Sequence, residues 1–168
     1  QLENRTFHCV TRACACEYFE GNNKTTSTKT DEIVNVCNLK DGNSLGRAVR
    51  KEIRMMTDDE RKMMLTALNK MKADGTYDRL GRVHKYHSVH AGPGFLGWHR
   101  EYIKRIEMAL RKYMPSPHTL GIPYWDSSLD GMLPEPKDSI IFTDFFYGTT
   151  NEHDEVVTGP FKDWTTME

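Results

Sequence analysis

Seven histidines occur in this 168-residue chain, and four of them, His84, His87, His90 and His99, fall within sixteen residues, in the run HKYHSVHAGPGFLGWH. Neutral imidazole suits copper, zinc, iron and nickel. A histidine on one helix, a second on the loop after it and a third on the next helix can converge on a single ion. Gly92, Pro93 and Gly94 supply the tight turn that such convergence needs. A histidine facing a helical core ordinarily bonds a backbone carbonyl, so spacing alone leaves a structural cluster as the competing reading.

The elements around these residues read as helices. Arg47 to Met56 is expected to be helical, with Val49 and Ile53 four apart. Thr57-Asp58-Asp59-Glu60 forms a capping box that opens the next helix, and its acids suit the positive end of the helix dipole. Met64, Leu65, Leu68 and Met71 give that helix an apolar stripe, and Asp74-Gly75 closes it. Nine methionines offer soft sulfur to copper(I), but most recur at helical spacing and are assigned to the core. A third helix runs from Tyr77 towards His87, and a fourth from Gly94 to before Pro115. On the fourth, His99, Tyr102, Ile103, Ile106 and Leu110 share one face, which points His99 inward. The pairs Glu101–Arg105 and Glu107–Arg111 fall on the outer side, acid first. Past Pro115 the period fades. Gly121 to Asp126 reads as an extended segment entering a turn, and the rest as a long ordered loop that wraps around something or awaits partner elements.

The bulk numbers narrow the partners. With 23 Lys plus Arg against 24 Asp plus Glu, the net charge of −1 points neither to nucleic acid nor to an acidic membrane surface. No apolar run approaches a membrane span. Cys9, Cys14, Cys16 and Cys37 all lie in the first quarter, beside the sequons Asn4-Arg5-Thr6 and Asn23-Lys24-Thr25. Together they favour a secreted, glycosylated protein with two disulfides. Of the three possible pairings, the one joining Cys14 to Cys16 is disfavoured because the two are so close, which leaves two open. The chain therefore divides into a loop-rich, disulfide-tied segment, residues 1–45, whose polar stretch Gly21 to Asp31 is expected to be exposed loop, and a mainly α-helical domain, residues 46–168. The opening at Gln1 fits a processed chain or a trimmed one.

The run HAGPGFLGWHREY closely resembles the first-copper motif of the tyrosinase and catechol oxidase family of type-3 copper proteins. In that motif a histidine is followed after eight residues by Trp-His-Arg, with Phe-Leu before the Trp. Here these are His90, Phe95, Leu96, Trp98, His99 and Arg100. The family's first ligand follows a tyrosine by seven residues, which matches Tyr77 to His84 and passes over His87. Pro123-Tyr124-Trp125-Asp126 matches a family segment, and Tyr124 to Asp126 are assigned to packing around the site. Leu133-Pro134 through Phe142-Thr143-Asp144, and Val157 to Phe161, resemble the mollusc- or nematode-like branch. The likeness covers roughly residues 46–165. It implies a helical-bundle domain that binds one copper ion through His84, His90 and His99.

Two departures stand out. Many relatives carry, two residues before the second ligand, a cysteine that bonds a histidine; here that position is Ser88. The second copper site, a His-x3-His pair with a further histidine, is absent, since only His118 and His153 follow His99. The resemblance thus implies the first-copper half of an oxidoreductase, and even a monooxygenase, that converts phenols or catechols to o-quinones with dioxygen. One copper cannot run that two-electron cycle alone, so the chain by itself is expected to be inactive. It would need a missing carboxy-terminal half or, less simply, a homo-oligomer. The alternatives are a secreted matrix protein that keeps the half-site without activity, and a hemocyanin-like oxygen carrier.

Overall fold

The computed structural model describes residues 9, 11–27, 33–115 and 119–166. The element order is α1 (Arg12–Tyr18), β1 (Asn22–Ser27), β2 (Ile33–Asn38), α2 (Asp58–Ala73), α3 (Thr76–His87) and α4 (Gly94–Lys112), followed by short 3-10 turns to Phe161. The chain is mainly helical, as expected, and the helices that carry the histidines begin and end close to the expected positions.

Helix α2 starts where its capping box puts it: the Glu60 amide donates to Thr57 Oγ1 at 3.2 Å, and the Thr57 amide donates to Glu60 Oε2 at 3.0 Å. Met64, Ala67 and Met71, at helical spacing, are buried and form the centre of the main core with Ile53, Leu110 and Ile141. Gly75 then takes φ 78° and the chain turns directly into α3. The long carboxy-terminal segment wraps back over α2 and α3. Asn69 Nδ2 donates to the Pro160 carbonyl at 3.2 Å, Trp164 Nε1 donates to Asn69 Oδ1 at 2.7 Å, and the Trp164 ring packs edge-on against Tyr77 at 4.7 Å.

Three expectations are corrected. Arg47 to Met56 is not a helix. It runs extended, bridging in parallel from Val49 to Leu120 and from Glu52 to Tyr124, before a 3-10 turn at Ile53–Met55. Pairing with a strand-like segment some seventy residues away outweighs a weak local period. The stretch expected to be open loop instead begins with β1, antiparallel to β2, with Asn22 opposite Asn38 and Ser27 opposite Ile33. Its threonines are β-branched and suit a strand, and residues 28–32 lie outside the described set. Finally, Glu107 and Arg111 are buried, not on the outer side. Glu107 Oε2 accepts from Arg50 Nε at 2.7 Å and from the Ile122 amide at 3.1 Å. Only Glu101–Arg105, at 3.2 Å, behaves as an outer pair.

The disulfides are Cys9–Cys14 and Cys16–Cys37. They tie the amino-terminal segment to itself around a small core of Cys16, Phe19, Cys37, Leu39 and Leu45. Basic residues of α4 dock that segment on the helices: Lys104 Nζ donates to the Cys9 carbonyl at 2.8 Å, and the charged ends of Lys112 and Arg111 sit over the rings of Tyr18 and Phe19. Replacing Cys16 and Cys37 together with serine is expected to cost about 3 kcal/mol, from the loop they close. The midpoint of denaturant unfolding, followed at α1, measures it; an unchanged midpoint would mean that this disulfide does not hold the segment.

A cluster of charges joins the segment before α2 to the chain after α4. Arg54 donates to Glu52 Oε1 at 3.0 Å, to Asp130 Oδ1 at 2.9 Å and to the Asp126 carbonyl at 3.0 Å. Burial works to raise the Glu52 carboxyl, but hydrogen bonds from Arg54 and the Asp126 amide outweigh it and hold it below its ordinary value. The Trp125 indole, with Arg54 and Ser139, holds Asp130 low against burial. With folded values depressed, the unfolded chain binds more protons, so stability is full above the ordinary carboxylate range, about pH 4, and falls as pH drops through the folded values. Unfolding midpoints are expected to stay level from about pH 6 to about pH 5 and then to fall as pH drops towards about 3. The fall should be shallower in Arg54→Ala; an identical slope would remove the cluster from the acid response.

Candidate metal centre

The histidine-bearing parts of the two helices are thinly covered. In α3 only Leu80 is buried, and in α4 the buried residues are Glu107 to Arg111, all in its carboxy-terminal half. Helix α4 is thus anchored at one end, and its first two turns stand at the surface. Between α3 and α4 the chain reverses over Ser88 to Pro93. Gly92 takes φ 77°, a left-handed conformation open to glycine at no steric cost.

This reversal brings three histidines together. Each of His84, on α3, His90, on the connecting loop, and His99, on α4, offers a ring nitrogen, and these atoms lie within 4.8 Å of one another. The ring centroids are 5.0 Å apart for His84 and His90, 5.5 Å for His84 and His99, and 5.3 Å for His90 and His99. His87 ends α3 exposed and outside the group. His153 is exposed near Glu152, and His118 lies outside the described residues. Among the described residues this is the group of three fit to hold a metal ion.

The surroundings fix two of the rings. His99 Nδ1 is 2.8 Å from the Phe95 carbonyl one turn earlier, so it donates there and leaves Nε2 free. The Phe95 ring lies 4.3 Å from that of His99. The His84 ring sits against Trp98 and Tyr102, whose own rings stack at 5.1 Å. The Tyr102 hydroxyl donates to the Leu80 carbonyl at 3.0 Å, pinning α4 to α3. Burial pushes the Tyr102 phenol up, aided by Tyr77, so it keeps that proton at neutral pH. Ser88 Oγ lies 3.1 Å from His90 Nδ1. Sequence reading passed over this contact, noting Ser88 only for the cysteine it replaces. Tyr124, Trp125 and Asp126 bond elsewhere, to the Lys51 carbonyl, Asp130 and Ser128.

The donor set fits copper. Three neutral imidazoles gathered at one point, with no carboxylate in the group, suit a borderline-soft ion and not magnesium or calcium. His90 is exposed, and so are Phe95, Leu96 and Ile103, all within four residues of His99 on α4, Leu96 at 77%.

Packed helices with a three-histidine centre between two of them agree with the first-copper half that the motif implied. Residues 74–168 match the family described as the common central domain of tyrosinase, and the chain belongs to that family, which uses copper. It is 44% identical over 171 residues to the tyrosinase-like protein tyr-3 of Caenorhabditis elegans, covering 99% of this chain and 22% of that protein. It is 33% identical over 126 residues to tyrosinase-like protein 2 of Margaritifera margaritifera, covering 69% of this chain and 26% of that protein. A tyrosinase of Streptomyces glaucescens is 32% identical over 124 residues, covering 67% of this chain and 43% of that enzyme. The chain therefore spans about a quarter of the length of the animal relatives it matches.

Proposed function

We propose that the chain supplies the first copper site of an oxidase that converts phenols or catechols to o-quinones with dioxygen. The three-histidine group, placed on the family's own motif, carries this reading. His84, His90 and His99 are its proposed ligands. Copper held there supplies electron transfer with dioxygen and Lewis-acid orientation of a phenolic oxygen. The chain's residues do the rest. Two helices and a short loop hold three nitrogens at fixed positions, the Phe95 carbonyl orients His99, and the exposed Phe95 offers a face against which an aromatic substrate can pack.

Oxidising two catechols takes four electrons to one dioxygen and yields two quinones and two waters. A single copper centre does not store those electrons in pairs, and the histidines after His99, His118 and His153, do not form a second ligand set with the family's His-x3-His spacing. We propose accordingly that turnover belongs to an assembly in which a second copper site faces this one. An extracellular setting is part of the proposal, supported by the pairing of all four cysteines and by an exposed Asn23 in its sequon.

The test is oxygen consumption with a simple catechol on the purified, copper-loaded 168-residue chain. No steady turnover is expected, while a polypeptide that carries both copper sites turns over. Turnover by the chain alone, lost on replacing His99, would show that the second site is not required. Binding of dioxygen without oxidation of catechol by the two-site protein would favour an oxygen carrier, and neither activity a matrix protein.

A further inference from the structure

We infer that Ser88 is a positioning residue for the metal centre, holding the loop-borne His90 so that its Nε2 faces the ion. This rests on the ligand assignment proposed above.

The three histidines are not held alike. His84 and His99 sit on helices, where backbone bonding and packing set ring position, and His99 is further fixed by the Phe95 carbonyl. His90 sits on the reversal between them and is exposed. Its ring neighbours are His84, His99 and Phe95, the last at 6.5 Å. The hydrogen bond described at its ring is the one to Ser88 Oγ, at 3.1 Å.

Ser88 is well placed to transmit rigidity. It caps the carboxy-terminal end of α3, just past His87, with extended backbone at φ −71°, ψ 148°, and its amide donates to the His84 carbonyl at 3.2 Å. The same residue therefore ties its backbone to one proposed ligand and its hydroxyl to another. A hydroxyl both accepts and donates, so it receives the Nδ1 proton of a ring whose Nε2 is turned to a metal. Such an outer partner fixes the ring plane and tautomer of a ligating histidine, and its loss typically costs about 10–100-fold in metal affinity. Because this bond is partly exposed, the lower end, about tenfold, is expected.

The experiment measures copper affinity by chelator competition on the whole chain for Ser88→Ala, Ser88→Thr and His90→Ala, with far-UV circular dichroism to establish folding. Proton–nitrogen correlation of the histidine rings in the zinc-loaded chain reads which His90 nitrogen bears hydrogen. Threonine keeps the hydroxyl and suits the extended backbone there. The expected result is about a tenfold loss in Ser88→Ala, near-parental affinity in Ser88→Thr, and a proton on His90 Nδ1 that exchanges faster in Ser88→Ala. Parental affinity in Ser88→Ala, with binding lost in His90→Ala, would overturn the role of Ser88 and leave the ligand assignment standing. Equal losses in the alanine and threonine variants would also overturn it, since the hydroxyl would then not be what matters. Unchanged affinity in His90→Ala would remove the ligand assignment and this inference with it.

Discussion

His90→Ala is expected to lower copper affinity by more than about 100-fold, beyond the range that loss of an outer partner causes. The unmodified chain should retain about one copper after desalting, as expected of a single three-imidazole site. The reason is geometric. With His90 gone, two nitrogens remain, on two helices, and the ion loses its third neutral donor on the side where the loop closes the group. His87→Ala makes the sharper comparison. His87 lies three residues away in the same run but outside the group, so its replacement is expected to leave copper binding unchanged. Equal retention by the parent and His90→Ala would refute the ligand assignment. A loss in His87→Ala alone would shift it by one helical turn.

Glu107→Ala is expected to be among the most destabilising single changes in the helical body. This carboxylate joins three parts of the chain: it accepts from Arg50 before α2 and from the Ile122 amide after α4, and it neighbours Arg111 on its own helix. Burial pushes the Arg111 guanidinium down, with Glu107 acting against it. Gly121 approaches so closely that an added Cβ would meet Glu107 Oε2 at 2.7 Å, so the joint has no room for a bulkier partner. Removing one member of a buried ion pair costs about 3–5 kcal/mol. The Arg50 side chain is 42% exposed and can be resolvated, so the lower end, about 3 kcal/mol, applies. For a chain of this size that is a fall of about 6–12 °C in Tm. Glu107→Gln, which keeps an acceptor for the Ile122 amide, should lose less. Thermal unfolding of both variants checks this, and a Tm within a degree or so of the parent for Glu107→Ala would contradict it.

The contrast between His90 and Glu107 shows what kind of information each came from. The histidine run was legible because the chemistry is local. Its residues lie on two helices joined by a six-residue reversal, and the helix signals around it are short-range: a capping box at Thr57, a left-handed glycine at 75, and apolar residues three and four apart. Each involves neighbours within one or two turns, so spacing along the chain reports them directly. The choice of His84 over His87 rested on the family motif, and the fold gathers His84 with the other two.

Glu107 was misplaced for the opposite reason. On a helical wheel it falls on the polar side, and its i,i+4 partner is an arginine, so local rules put both in water. The fold instead lays the Val49–Ile53 and Leu120–Tyr124 segments across that side of α4, and the charge pattern becomes a buried joint. The same pairing turned the expected helix at Arg47 to Met56 into extended chain. A hydrogen-bonded partner about seventy residues distant leaves no periodic trace in either segment. Likewise the polar stretch after Gly21 became a strand only because β2 lies beside it.

By itself, then, the sequence determined the helices that carry the histidines, the turn between them and the donor chemistry of the site, because these depend on side-chain type and short spacing. Only the tertiary structure decided that His90 leans on Ser88, that the cysteines pair as Cys9–Cys14 and Cys16–Cys37, and that Glu107 is buried under a distant strand-like crossing. Those outcomes depend on which remote segments meet, and that is set by how the whole chain buries its apolar surface, not by the pattern of any one stretch.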